Sequence, residues 1–134
     1  MTTPTDEQME VMARHYVIAA IWADAPEGTR PRATATAHVR ALEHCRAFCS
    51  RAGGLIAQAV AREGYGSHPD CGTVHPAFAA LGHDLWLTRR GHGVGFWDRP
   101  ELKSRGLGKA LSYKAGDMGS PMFEFYRGWF YLHA

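Results

Sequence analysis

Four titratable side chains between residues 82 and 99 are of the types used in general acid–base catalysis and metal binding: His83, Asp84, His92 and Asp98. Apolar and polar residues alternate on both sides of Arg90-Gly91, which predicts a β-hairpin with a tight two-residue turn. In that pairing His83 lies opposite Asp98, Asp84 points to the other face, and His92 lies near the turn. The predicted geometry favours polar cross-strand pairs over one reactive centre, and we assign no catalytic residue.

A second group of side chains has the chemistry of zinc ligands, since thiolate sulfur and imidazole nitrogen both bind zinc. Neither half of the group is a compact C-x-x-C knuckle, and buried free cysteines behave as small apolar residues. We therefore predict no metal and keep structural zinc as an alternative. The group comprises Cys45 and Cys49, one helical turn apart, with His68, Cys71 and His75 in a later loop.

Composition narrows the class of protein. A chain of 134 residues can bury a hydrophobic core without disulfide bonds or a structural metal, so we predict one domain over residues 1–134. The formal net charge of +2 is too small to indicate nucleic-acid binding and argues against an acidic DNA mimic. The polar, acidic start MTTPTDEQME lacks an export signal, and three cysteines are an odd number. We expect a cytoplasmic protein with reduced thiols, no cofactor and no membrane association.

Helical patterns dominate the first half of the chain. Thr5 and Gln8 have the form of a capping box, and the apolar spacing that follows predicts a helix over 5–23. A second helix is predicted from about residue 34 or 36 to 52, and a further helical stretch over 55–63. Together these make residues 5–63 helical, ahead of an irregular loop at 64–76. A third main helix is predicted over about 101–115, although two glycines weaken it.

The chain closes on a second alternating segment, residues 122–133, with Arg127-Gly128 at its centre. Counting outward from that turn places Phe125 beside Phe130 and Phe123 beside Leu132 on one face. Two such hairpins predict an α+β fold, in which an antiparallel four-stranded sheet packs its Leu/Phe face against about three helices.

The opposite sheet face is predicted to display tryptophan and tyrosine, which dominate binding interfaces when they are exposed. Two interpretations of this face stay open: it is an interface, a homodimer included, or it is covered by the protein's own helices. The predicted binding residues are Trp86, Trp97, Tyr126, Trp129, Tyr131, Asp84, Arg89, Arg90 and Arg99.

Residues 82–99, GHDLWLTRRGHGVGFWDR, resemble the signature of a family of small proteins of tailed phages and prophages. The departures from the family pattern are Leu85 for Phe, Arg90 for Asn and Val94 for Ala. The resemblance carries no chemistry for individual residues and implies a setting, the cytoplasm of a bacterial host. Separately, PELKSRGLGKAL (100–111) resembles the acetyl-coenzyme A loop of Gcn5-related acetyltransferases, which needs a preceding strand and a following helix.

These observations lead to a main hypothesis with two alternatives. The main hypothesis is a non-enzymatic phage or mobile-element accessory protein that binds a host or phage protein. One version of this hypothesis is that binding inhibits a bacterial defence system such as CRISPR. The first alternative is a single-stranded nucleic-acid-binding module, with Arg89, Arg90, Arg99 and Arg127 at the rim of the aromatic face. The second is a small enzyme, acetyltransferase-like or metal-assisted.

Overall fold

The computed structural model describes residues 3–67 and 74–134, and in that part of the chain helices predominate over a small mixed sheet. Short 3-10 turns join the fourth helix to the fifth, at Phe96–Asp98, Pro100–Leu102 and Ser104–Gly106. The helices are α1 (Asp6–Asp24), α2 (Ala35–Ala52), α3 (Gly54–Val60), α4 (Pro76–Arg90) and α5 (Leu107–Asp117); the strands are β1 (Arg32–Ala33), β2 (Phe123–Tyr126) and β3 (Trp129–Leu132).

The first two helices are close to the predicted ones. The capping box of α1 is confirmed, because the Thr5 hydroxyl accepts from the Gln8 amide and the Gln8 side chain accepts from the Thr5 amide. α2 begins after Thr34, whose hydroxyl accepts from the Ala37 amide at 2.9 Å. These local signals suffice because each cap satisfies amides that the first helical turn leaves without partners.

The predicted hairpin over 82–99 is wrong. Residues 76–90 form α4, which begins with Pro76 in its first turn and ends where Gly91 adopts a left-handed conformation, φ 68°. The alternation of Leu85 and Leu87 also fits a helix buried on most sides, and α4 buries both of them together with Trp86. The chain then turns through residues 91–95 into the 3-10 turns.

α4 is central to the packing because it crosses α1 at close range. A Cβ atom on Gly82 would lie 2.0 Å from the carbonyl oxygen of Met12 in α1, so only glycine fits at the crossing. The Trp86 indole meets the Tyr16 ring edge-on, with centroids 5.2 Å apart. The largest fully buried side chains of the core are Tyr16, Phe48, Trp86, Phe96 and Phe130.

The second predicted hairpin is present, with its predicted register. β2 and β3 pair antiparallel, with Phe123 opposite Leu132 and Phe125 opposite Phe130. Arg127 and Gly128 form the turn with φ values of 49° and 82°, as a two-residue hairpin turn with matching twist requires. β1 adds to β3 in parallel, so the sheet has three strands in the order β1-β3-β2. The predicted antiparallel four-stranded sheet is therefore wrong, because one of its two ribbons is a helix.

The last helix, α5, starts six residues later than the sequence predicted, since 3-10 turns occupy the first part of the segment. Among the described helices, none combines the length and the apolar character needed to span a membrane.

Candidate functional site

The sheet presents an aromatic outer face to solvent. Tyr126 and Trp129 are direct cross-strand partners next to the turn and are 56% and 42% exposed. Tyr131 is half-buried one pair further along the same face, opposite Glu124. We call Glu124, Tyr126, Trp129 and Tyr131 the aromatic face.

Cationic side chains border the aromatic face at its turn end. The Arg127 guanidinium lies 5.3 Å from the centre of the Tyr126 ring, within the range of a cation–π contact. Arg32 of β1 is exposed and stands opposite Trp129, so it shares this face. The position of Arg32 is not predictable from the sequence, because a two-residue strand after Pro31 has no periodicity of its own.

The structure divides the five aromatic residues predicted to share one face. Tyr126, Trp129 and Tyr131 lie together as predicted. Trp86 is completely buried in α4, and its indole N–H donates to Asp24 Oδ2 at 2.6 Å. Trp97 is 49% exposed but belongs to a 3-10 turn outside the sheet. The site is therefore smaller than predicted and is confined to the terminal hairpin and β1.

Asp84, one of the predicted binding residues, takes part in a buried ion pair. Its carboxylate is 1% exposed and accepts from Arg99 Nε at 3.0 Å and Nη2 at 2.6 Å. The Tyr65 hydroxyl donates to the other oxygen at 2.8 Å. Burial raises the pKa of Asp84, while the hydrogen bonds from Arg99 and Tyr65 favour the carboxylate. This cluster ties the loop before α4 and the turns after it to α4 itself.

Arg89 joins a second internal cluster with Tyr16 and His44. His44 Nε2 lies 2.8 Å from the His133 carbonyl oxygen, which only accepts, so Nε2 carries a hydrogen. In neutral His44, Nδ1 is then an acceptor, 3.0 Å from both Arg89 Nη1 and the Tyr16 hydroxyl. Burial, followed by the nearby Arg89 charge, lowers the pKa of His44 and keeps that neutral form. Tyr16 and His44 were missed because their helical spacing alone predicts only core positions.

Arg90 and His92 belong to a third cluster, at the C-terminal end of α1. Asp24 accepts from Arg90 Nη2 at 3.3 Å and from His92 Nε2 at 3.0 Å. Burial alone would raise the pKa of Asp24, but the hydrogen bonds from His92, Trp86 and Arg90 outweigh it and lower the pKa. The cluster closes the end of α1 against α4.

The four residues considered for catalysis have different neighbours. Asp84 and His92 lie in different clusters, as described above. The His83 ring lies 5.6 Å from the exposed Trp22 ring. Asp98 Oδ1 accepts from the Gly95 amide at 2.8 Å. Each group has a structural partner of its own, which argues against a shared reactive centre.

The zinc alternative gains no support from the part of the chain that the structure describes. His68 and Cys71 lie outside the described residues. Burial raises the pKa of Cys45 far above its usual value and that of Cys49 to about 12, so both remain thiols at neutral pH. Over residues 3–67 and 74–134, no group of three or more His, Cys, Asp or Glu side chains is placed to hold a metal ion.

The acetyl-coenzyme A alternative also lacks its structural context. A 3-10 turn, and not a strand, precedes the glycine-rich run. A Cβ atom on Gly108 would lie 2.4 Å from the Phe96 carbonyl oxygen, so this glycine serves the close packing of α5 on the 3-10 turns.

Two surface grooves of about 260 and 390 Å³ adjoin Pro4, Cys49 and Gly53, away from the three polar clusters.

Comparison with known proteins identifies no relative: no protein-family model, no curated protein and no solved structure matches this chain. We therefore base the functional proposal on the aromatic face, where exposed aromatic side chains lie beside arginine.

Proposed function

We propose that this chain is a non-enzymatic protein-binding module that contacts its partner through the aromatic face. The supporting observation is the exposure of Tyr126 and Trp129, paired across the strands and bordered by Arg32 and Arg127. Large aromatic side chains beside arginine are the residues that contribute most to protein interfaces. Their removal from water on binding stabilises a complex by about 25 cal/mol per Å² of apolar surface.

Charge distribution favours a protein partner over single-stranded nucleic acid. Arg89, Arg90 and Arg99, expected at the rim of a nucleic-acid platform, donate to partners inside the protein. Arg127 and Arg32 border the aromatic face, and Glu124 places a negative charge on it. A backbone-tracking groove for nucleic acid needs a continuous positive surface, which this face does not offer.

The setting of the proposal comes from the sequence resemblance to phage and prophage proteins. In that setting the partner is a host or phage protein in the bacterial cytoplasm. Inhibition of a defence system such as CRISPR is the form of this function that the small size of the chain and its resemblance to phage proteins suggest. A homodimer through the same face is the competing use of the surface.

A pull-down from bacterial lysate tests the proposal with three versions of the chain: wild type, the double variant Tyr126→Ala/Trp129→Ala, and Tyr113→Ala. Tyr113 is 80% exposed on α5 and gives a matched loss of a surface aromatic residue away from the sheet. We expect wild type and Tyr113→Ala to retain the same protein, and the double variant, shown to be folded by circular dichroism, to lose it. Retention by the folded double variant contradicts the proposal.

A single-stranded DNA-binding assay distinguishes the nucleic-acid-binding alternative from the protein-binding module. Retention at low salt that falls steeply with added salt and depends on Arg32 and Arg127 indicates a nucleic-acid module instead.

A further inference from the structure

The outer strand of the sheet, β2, has one backbone edge that no strand of the described residues pairs with. The His133 amide donates to the Met122 carbonyl at 2.9 Å, which makes 122 and 133 a hydrogen-bonded pair. In an antiparallel ladder such pairs alternate with non-bonded ones, so Phe123 and Phe125 form the non-bonded pairs. Their N–H and C=O groups therefore point away from β3.

On the opposite edge of the hairpin, carbonyl groups of Gly128 and Phe130 point outward and accept hydrogen bonds from β1 and the residue after it. Phe130, the partner of Phe125, accepts from the Thr34 amide at 3.2 Å, and Gly128 accepts from the Arg32 amide at 2.9 Å. β1 thus occupies the outer edge of β3. At the edge of β2, no backbone hydrogen bond joins Phe123 or Phe125 to another described residue. An unpaired strand edge of this kind is a template for a further strand.

Side chains beside this edge specify what an added strand would present. Phe123 and Phe125 are half-buried on the core side of the sheet, and the Phe125 ring lies 5.1 Å from the Phe130 ring. Residues of an added strand that face this side would cover the remaining apolar surface of both rings. Apolar residues are therefore preferred at those positions.

Between these two residues, Glu124 places one negative charge on the opposite side of the edge. Glu124 is exposed, and one of its carboxylate oxygens lies 4.0 Å from His133 Nε2. An added strand brings its central outward residue directly opposite Glu124, where an opposite charge stabilises the pair and a like charge destabilises it. A lysine or arginine is preferred there.

The same charge disfavours a second copy of this chain at the edge. The antiparallel register that satisfies the outward groups of both copies pairs Phe123 of one with Phe125 of the other. That register sets Glu124 of the two copies face to face, so two carboxylates oppose each other across the strands. The self-association of β2 is opposed by its own sequence.

We infer that the edge of β2 binds an extended segment of the partner protein, with a basic residue opposite Glu124 and apolar residues against Phe123 and Phe125. This inference rests on the proposed function and specifies its partner. Backbone hydrogen bonds to the edge supply affinity, and the alternating side chains supply specificity. The aromatic face adjoins the same strand, so one partner contacts both.

Two capped peptides test the inference: Val-Thr-Val-Lys-Val-Thr-Val and the same sequence with glutamate at its centre. We expect the lysine peptide to bind about fivefold to tenfold more tightly, as measured by isothermal titration calorimetry. We also expect it to slow hydrogen exchange of the Phe123 and Phe125 amides. Glu124→Lys is expected to reverse the preference between the peptides. Glu63→Lys, the same charge change at an exposed site outside the sheet, is the control and is expected to leave the preference intact.

Three outcomes overturn the inference. They are equal affinity for the two peptides, no binding at millimolar concentration, and a concentration-dependent dimer that protects the Phe125 amide without peptide. Failure here is distinguishable from failure of the proposed function. Capture that depends on Tyr126 and Trp129, but is unchanged by Glu124→Lys, retains the aromatic face as the docking surface and removes the edge.

Discussion

Replacing Gly82 with alanine tests the crossing of α1 and α4, on which the whole core depends. In an unobstructed helix interior this change stabilises by about 1 kcal/mol, because alanine is the better helix former. At Gly82 the new methyl group would meet backbone on the facing helix, 2.0 Å from the Met12 carbonyl oxygen and 3.0 Å from the Tyr16 nitrogen. The structure therefore predicts that Gly82→Ala lowers the free energy of unfolding.

The size of the effect follows from the overlap. A carbon–oxygen contact is normally about 3.3 Å, so the two helices must separate by about 1 Å or distort. Backbone on the facing side has no rotamer with which to yield, and the movement loosens the Tyr16–Trp86 contact. Overpacking of this kind costs about 1–3 kcal/mol, and the backbone overlap places Gly82 at the upper end. After the gain in helix propensity, we expect a net destabilisation of about 2 kcal/mol.

Urea unfolding, followed by tryptophan fluorescence, measures this change. With a slope of about 1–3 kcal/mol per molar, a loss of about 2 kcal/mol lowers the midpoint by roughly 1 M. Gly116→Ala is the matched control, since nothing lies within 4 Å of its added methyl group in the last turn of α5. We expect it to be neutral or stabilising. A Gly82→Ala protein as stable as wild type would refute the close crossing.

Three further changes test the clusters and the turn. Asp84→Asn leaves the half-buried Arg99 without its counter-charge and is expected to cost about 3–5 kcal/mol in urea unfolding. Arg127→Asn supplies a residue that tolerates φ 49° at the hairpin turn and is expected to raise the melting temperature by a few degrees. The free energy of unfolding is expected to fall as pH drops below about 6.5, because His44, held neutral beside Arg89, binds its proton more readily when unfolded. His44→Gln is expected to flatten that dependence in urea titrations between pH 7 and 5.

Each of these three has an outcome that contradicts it. A loss below about 1 kcal/mol for Asp84→Asn would mean that the ion pair is open to water. A lower melting temperature for Arg127→Asn would mean that the turn is not of the two-residue type. For His44→Gln, an unchanged pH dependence would assign the effect to other histidines, such as His15, whose pKa burial and Arg14 also lower.

Much of the fold was predictable where local chemistry decides the conformation. The capping box at Thr5 satisfies amides within one helical turn, and the turn at Arg127-Gly128 fixes the register of its two strands by geometry alone. Counting residues outward from the same turn also predicts that tyrosine and tryptophan lie on the outer side of that hairpin. The part of the candidate site that lies on the hairpin was therefore predictable.

The segment after residue 75 was misread because its apolar residues satisfy two periods at once. Residues 83–90 alternate as a strand does, but they also carry apolar residues at helical spacing back to Phe78. Three helix signals were present: Pro76 at the start, Arg89 and Arg90 in the last turn, and Gly91 after it. The alternation predicts a strand in spite of these signals, and a strand would place Trp86 on a surface that it does not occupy.

By itself, the sequence determined the capped first helix, the second helix and the terminal hairpin with its outward aromatic residues, because these depend on contacts between near neighbours in the chain. Only the tertiary structure decided that Asp84, Arg89, Arg90 and Arg99 act inside the protein and that Trp86 fills its core. Those assignments depend on partners 15 to 73 positions away, such as Asp24, Tyr16 and His44. Burying a charged or polar group is favourable only when a partner meets it, and the packing of α1 against α4 brings those partners together.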